Sequence, residues 1–238
     1  MKYEYVLFDL DGTLTDPEQG ITKSIRYALA SFGIEECDRS KLRSFIGPPL
    51  KSSFQDFYGM SDENADLAIA RYRERFADKG LYENTVYPGV EKLLASLKEA
   101  GISVALATSK PTVYALRILE HFDLDGYFDF VLGSELDGTR TAKADVVAGV
   151  VAHFAETDRA KFVMVGDRSH DMVGARSNGI DSIGVLYGYG SREELVESKA
   201  TYIAESIDGL SRLLCKELFP AIRIYPSKTA AWKNCRLD

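Results

Sequence analysis

The sequence predicts an α/β protein: a parallel sheet with helices on both faces, and a small all-helical segment inserted after the first strand. From Ile102 onward, short apolar runs alternate with segments of helical period. Alternation of this kind builds a parallel sheet covered on both sides. The opening run, Tyr5 to Leu10, has the same strand composition. Between about Asp16 and Thr85 no good strand occurs, and the apolar residues keep helical spacing.

Taken in order, Tyr5–Leu10 is the first strand. Asp16 and Pro17 give a cap and first turn to a helix in which Ile21, Ile25, Leu29 and Phe32 recur at helical spacing. "FIGPPL", Phe45 to Leu50, is a turn-rich break. "ENADLAIARYRERFADKG" is a further helix, and "YPGVEKLLASLKEAG" carries a helix back into the core. Strand "ISVALATS" and helix "PTVYALRILEHF" follow, with Val113, Leu116, Leu119 and Phe122 on neighbouring turns. "FDFVLGSEL" (strand), "KADVVAGVVAHF" (helix), "KFVMVGD" (strand), "HDMVGARSNG" (helix closed by Gly179) and "DSIGVLYG" (strand) complete the alternation. The expected division is a core of residues 1–15 and 86–215, a helical insert of 16–85, and a C-terminal extension of 216–238. Two crossings between insert and core make a natural hinge. The extension is locally basic, with Lys216, Arg223, Lys228, Lys233 and Arg236, and reads as a solvated or packed tail.

The 238 residues are 45% hydrophobic and 27% charged, enough for an ordinary soluble core. A net charge of −7 argues against a broad nucleic-acid surface and leaves room for a local basic pocket. Cys37, Cys215 and Cys235 have no metal-ligand spacing and form no disulfide framework. The N-terminus enters a strand directly, and no apolar stretch suits a signal peptide or a bilayer span; a cytoplasmic protein is expected.

The chemistry begins at "FDLDGTLTD", where a buried strand ends in two carboxylates one residue apart. Carboxylates at the edge of a core are costly unless something cationic meets them. Three further signals fall at the ends of other strands: Thr108 and Ser109, Lys143, and Asp167 in "GDRSHD". Ligands bind at that edge of an open parallel sheet. Asp9, Asp11 and Asp167 converging from different strands suit Mg²⁺, which favours carboxylates together with substrate phosphate. A phosphate explains the rest. Thr108 and Ser109 offer hydroxyl and backbone donors, Lys143 a point charge, and the turn from Leu10 to Gly12 backbone N–H groups. His121, His153 and His170 read as structural or solvated.

"DLDGT", "ATSK", a downstream lysine and "GDRSHD" together resemble the haloacid dehalogenase superfamily of aspartate-nucleophile phosphotransferases, in the family's order and over nearly the whole chain. The presence of Asp11 implies the phosphatase branch. The insert resembles the small cap of the phosphoglycolate phosphatase-like group. "FIGPPL", "ATSKP", "GSELDGTRTAK" and "GVLYGYGSREEL" resemble bacterial 5′-nucleotidases. The resemblance implies a Rossmann-like core and a Mg²⁺-dependent phosphomonoesterase acting on a nucleoside 5′-monophosphate or phosphoglycolate, as monomer or homodimer. Asp9 would be the nucleophile and Asp11 the general acid and base. Asp9, Asp167 and the Asp11 backbone carbonyl would hold the metal. Thr108 would bond a phosphoryl oxygen, with Gly12 and Ser109 in support. Lys143 would orient Asp9, and Asp171 would hold a metal-bound water or Lys143. Lys110 is the rival lysine; Lys143 is favoured because it opens a helix after the third strand. The loop "FIGPPL" would meet the leaving group, and Arg43, Lys51, Arg71 and Arg73 are the cations of the insert. A sugar phosphomutase of the same superfamily and a non-catalytic phosphate-binding module are the alternatives.

Overall fold

The computed structural model describes residues 2–215; the extension expected over 216–238 lies outside them. Strand β1 (Tyr5–Phe8) is wholly apolar after Tyr5, and Val6, Leu7 and Phe8 have no exposed surface. A strand buried on both faces belongs in the middle of a sheet. It pairs in parallel with β4 (Ser103–Pro111) on one side and β6 (Phe162–Gly166) on the other. With β5 (Phe130–Ser134), β7 (Asp181–Val185) and β8 (Tyr202–Ala204), the sheet has the order β5-β4-β1-β6-β7-β8, and every paired neighbour is parallel. The α/β expectation is met.

The period of two divides the core into two layers. Leu7, Ala105, Ala107, Phe162 and Met164 meet Val146, Val147, Val150 and Val151 of α7 (Lys143–His153) and Ala175 of α8 (Ser169–Ser177). Val6, Phe8, Val104, Leu106, Val163 and Val165 face the other way. They meet α5 (Val90–Glu99), α6 (Thr112–His121) and the last described helix, Ile207–Cys215. The inward stripe of α6 differs from the sequence reading. Tyr114, Ala115, Ile118 and Leu119 are buried, whereas Val113 and Leu116 are 45% and 46% exposed. Apolar residues lie all round this short helix, so its period alone does not choose the face.

The insert contains α1 (Glu18–Ala30), α2 (Arg39–Arg43), α3 (Leu50–Tyr58) and α4 (Asp62–Arg75), with α4 ending in a π-helical turn, Phe76–Gly80. Asp16 accepts from the Glu18 N–H at 3.0 Å, starting α1, and Ser61 caps α4. Ile21, Ile25 and Leu29 are buried as their spacing predicts. The two crossings bring a correction. They pair as a two-residue antiparallel ribbon, β2 (Thr15–Asp16) with β3 (Thr85–Val86), Thr15 beside Val86 and Asp16 beside Thr85. Two residues are too few for an alternation to be read. The ribbon lies beside the carboxyl edge of the sheet, where Tyr87 N–H donates to Leu14 O at 3.0 Å.

Candidate active site

Asp9 follows β1 directly, and its N–H donates to Val165 O at 2.9 Å. The chain then turns tightly: the N–H groups of Thr13, Leu14 and Thr15 all converge on Leu10 O. The Gly12 N–H donates to Thr15 O at 2.7 Å, so it is spent on the turn, and the expected anion-binding contribution of Gly12 N–H is corrected. Gly12 acts by shape. Its φ is +81°, and a Cβ there would lie 2.1 Å from Asp167 Oδ2. Gly12→Ala combines backbone strain with that clash. It is expected to cost about 2 kcal/mol or more, read as a lower urea midpoint; an unchanged midpoint would show that the turn and Asp167 are not in contact.

Asp9, Asp167 and Asp171 are buried, and each places an oxygen within 4.8 Å of the others. One ammonium sits among them. Lys143 Nζ lies 2.8 Å from Asp9 Oδ1 and 2.8 Å from Asp171 Oδ1, and donates to Ala107 O at 3.0 Å. Burial by itself would pull this lysine down. The charges of Asp171 and Asp9 outweigh it and raise Lys143 above the ordinary lysine range, so it stays charged. Asp171 Oδ2 accepts from the Arg168 N–H at 3.1 Å, so the same carboxylate caps α8 and pairs with Lys143. Burial, opposed by Lys143, pushes Asp171 up to about 6. Asp167 Oδ2 accepts from the Tyr189 N–H at 2.7 Å, while its Oδ1 is buried with no hydrogen-bond partner. Burial, then the charges of Asp171 and Asp9, hold Asp167 well above the usual carboxylate range.

Three carboxylates against one ammonium leave negative charge unmet in a dry place, and the donor set is all oxygen. A divalent hard cation fits both facts. Asp171 has both oxygens engaged, which turns it toward support. Asp167 keeps a free one.

The remaining expected residues lie beside this cluster. Thr108 is buried, and its Oγ1 accepts from the Lys110 N–H at 3.2 Å. The Ser109 carbonyl accepts from Ser134 Oγ at 2.8 Å. Lys110, the rival lysine, reaches Asp11 rather than Asp9, with Nζ 2.5 Å from Asp11 Oδ2. Burial raises the Asp11 carboxyl against the opposing charge of Lys110.

A cavity of about 760 Å³ opens over these groups. Asp9, Asp11, Thr108, Ser109 and Lys110 form its floor, and Phe45, Leu50, Ile69, Tyr72 and Phe76 of the insert form the opposite wall. Gly47, Pro48 and Pro49 of the turn-rich loop also line it. Of the four cations singled out in the insert, Lys51 and Arg73 line the cavity. Arg71 pairs with Glu74 at 3.0 Å, and Arg43 reaches Glu18 at 3.6 Å.

Sequence reasoning passed over two contributors. The loop after β7 packs on Asp167: a Cβ at Gly188 would lie 2.4 Å from Asp167 Cβ, and one at Gly190 would lie 1.9 Å from its carbonyl oxygen. The Tyr189 hydroxyl donates to Asp16 at the ribbon. The two glycines flanking Tyr189 in "YGYG" were the available signal. The second is Arg168, which donates from Nη1 to Ile46 O at 2.8 Å and from Nε to Glu194 at 3.0 Å. It ties the motif of Asp167 to the insert, and its partner being a backbone carbonyl leaves no trace in residue types.

A family model described as haloacid dehalogenase-like hydrolase matches residues 6–185. The chain is 44% identical over 217 residues to a 5′-nucleotidase of Pseudomonas aeruginosa, covering 90% of this chain and 96% of that one. It is 38% identical to the tyrosine-protein kinase PtkA of Mycobacterium tuberculosis, over 89% of this chain and 72% of that one. It is 30% identical to phosphoglycolate phosphatase 1 of Pseudomonas aeruginosa, over 86% and 77%. A crystal structure described as a predicted phosphatase from Clostridium acetobutylicum superposes with a TM-score of 0.86 at 48% identity, covering 90% of this chain and 99% of that one.

Proposed function

The chain belongs to the haloacid dehalogenase-like hydrolase family, and on that premise we propose that it is a Mg²⁺-dependent phosphomonoesterase working through an aspartyl-phosphate on a nucleoside 5′-monophosphate or phosphoglycolate. One observation carries the reading. Asp9 and Asp11, from a single strand end, sit with Thr108 on the floor of a cavity walled by the insert, next to a third carboxylate whose buried oxygen lacks a partner.

Asp9, Asp167 and the Asp11 backbone carbonyl are the groups that would hold Mg²⁺, with Asp171 in support. Bound there, the metal would supply positive charge against the phosphoryl group in transfer. The chain's own residues do the rest. An Asp9 carboxylate oxygen forms a bond to phosphorus as the ester P–O bond breaks. Asp11 gives its proton to the leaving oxygen; its burial favours the protonated form needed for this. Asp11 then takes a proton from water as that oxygen bonds phosphorus, and the Asp9–phosphorus bond breaks to release phosphate. Lys143 holds Asp9 in line, and the Thr108 hydroxyl and Ser109 bond phosphoryl oxygens. The insert acts as a cap that keeps bulk water out and selects the leaving group by the shape of the Ile69, Tyr72 and Phe76 wall.

Phosphate release from nucleoside 5′-monophosphates, phosphoglycolate, hexose phosphates and an aryl phosphate, with and without Mg²⁺, tests the reading. Metal-dependent release is expected, with a nucleotide or phosphoglycolate preferred. No release from any of them by folded, Mg²⁺-loaded protein would remove it.

Metal binding has its own prediction. In the metal-free fold Asp171 titrates near 6 and Asp167 is raised as well. A carboxyl raised by folding destabilises when ionised, so the cost from Asp171 is absent below the unfolded value and complete above about pH 6, while that from Asp167 goes on growing with pH. Mg²⁺ relieves that cost and competes with protons. Its stabilisation, about 2.7 kcal/mol at a hundredfold excess over Kd, is expected to be larger at pH 7.5 and to shrink as pH falls through 6. Equal shifts in Tm at both ends of that range, or none at either, would remove the metal assignment.

A further inference from the structure

Two buried lysines stand against the carboxylates of the site, Lys110 lining the cavity and Lys143 beside Asp9 and Asp171, and the reaction above employs only Lys143. Lys110 is 8% exposed. Its Nζ is 2.5 Å from Asp11 Oδ2 and lies 4.9 Å from the ring centroid of Phe76 in the insert. Its backbone is fixed as firmly. The N–H donates to Thr108 Oγ1, and a Cβ at Gly133 would lie 2.2 Å from the Lys110 carbonyl oxygen, so that strand is packed against it at glycine distance. The pairing of β4 with β5 shifts register between Ala107 and Pro111, the stretch that carries Lys110. The two Asp11 oxygens differ in consequence. Oδ2 is held by the ammonium, whereas Oδ1 is buried without a hydrogen-bond partner in a residue that lines the cavity.

We infer that Lys110 is a positioning residue for proton transfer: by holding Asp11 Oδ2 it fixes the carboxyl so that Oδ1 is presented to the leaving oxygen of the ester. The inference rests on Asp11 being the acid of the proposed reaction. In the step concerned, the phosphorus–oxygen bond to the leaving group breaks with its electron pair going to that oxygen, which takes the proton from Asp11 Oδ1. In the next, a water proton returns to the same oxygen as the water oxygen bonds phosphorus. A short carboxyl side chain over an open cavity has other rotamers available, and the ion pair removes them. A lysine that instead gripped the phosphoryl group would serve every ester alike.

That difference is measurable. An alkoxide leaves only with a proton, whereas 4-nitrophenolate leaves without one. The parameter to compare is kcat/KM, which reports the steps up to leaving-group departure. Lys110→Met is expected to lower kcat/KM on an alkyl monoester by ~100-fold, the scale of a lost general acid, and on 4-nitrophenyl phosphate by at least ~10-fold less. Lys110→Arg, which keeps a cation, is expected to restore the ratio toward that of the wild type. Asp11→Asn is assayed in parallel. If Asp11→Asn discriminates between the esters and Lys110→Met does not, the inference fails while the reading of Asp11 stands. If Asp11→Asn shows no discrimination, the reading of Asp11 itself fails and takes the inference with it. A gain in alkyl-ester activity on losing the cation also overturns it, since Lys110 would then be restraining the acid. Should Lys110→Met not fold, Lys110→Gln carries the same comparison.

Discussion

Asp9→Asn is expected to fold normally and to lose turnover by at least ~10⁴-fold, the scale on which removal of a covalent nucleophile acts. The amide has the shape of the carboxylate and no comparable nucleophilicity. The fold should tolerate it because Lys143 keeps Asp171 at 2.8 Å and the Ala107 carbonyl at 3.0 Å. The substitution also removes one of three carboxylates crowded into 4.8 Å, which relieves like-charge repulsion. Phosphate release and a urea unfolding curve decide the matter together. A well-folded variant that still hydrolyses esters at a substantial rate would falsify the assignment of Asp9 as nucleophile.

Lys143→Met is expected to damage both stability and activity. Methionine matches the length of the lysine stem, so packing against Gly174, which a Cβ would bring within 2.9 Å of Lys143 Cγ, is largely kept. The charge is not. Asp9 and Asp171 would be left buried, with no cation between them. Removing one partner of a buried ion pair typically costs about 3–5 kcal/mol. The sign of the pH dependence follows. Lys143 lowers the Asp171 carboxyl, so its loss lets that carboxyl rise above about 6. The protonated form does not need the cation. The destabilisation is therefore largest above pH 6 and shrinks on acidification toward pH 4. Urea midpoints for wild type and variant at pH 7.5 and 5 test this; a difference that stays constant with pH would mean that unpaired carboxylates are not its source. The contrast with Lys110 is informative: one lysine supports the acid cluster and the other orients a single oxygen, though both are buried beside carboxylates of the same site.

The sheet was legible because its strands are apolar on both faces. Val6, Leu7 and Phe8, or Phe162 to Val165, leave little other reading for runs so short. The convergence of Asp9, Thr108 and Asp167 was legible for a topological reason: each stands toward the carboxyl end of a strand or just past it, and parallel strands point those ends the same way; Lys143 joins them from the first turn of α7, nine residues after β5 ends. Pairing between side chains was less accessible. Lys110 and Lys143 have the same chemistry and similar settings, and only the register shift at Ala107–Pro111 and the placement of α7 decide which carboxylate each one meets. The phase of α6 was misread because Val113 and Leu116 are as apolar as the buried Ile118 and Leu119. Contacts made through the main chain, such as Arg168 to Ile46 O and Tyr189 N–H to Asp167, carry no residue-type signature.

The ribbon of β2 and β3 has a consequence for how such a molecule changes over evolutionary time. Thr15 and Val86 lie side by side, so the seventy residues between them leave and re-enter the core at a single point. The gap is one that a two-residue hairpin turn closes. Lengthening, shortening or exchanging that segment leaves the strand order β5-β4-β1-β6-β7-β8 and the carboxyl edge untouched. The floor and the wall of the cavity can therefore diverge at different rates: one under the constraint of a fixed reaction, the other free to follow whatever ester the cell presents.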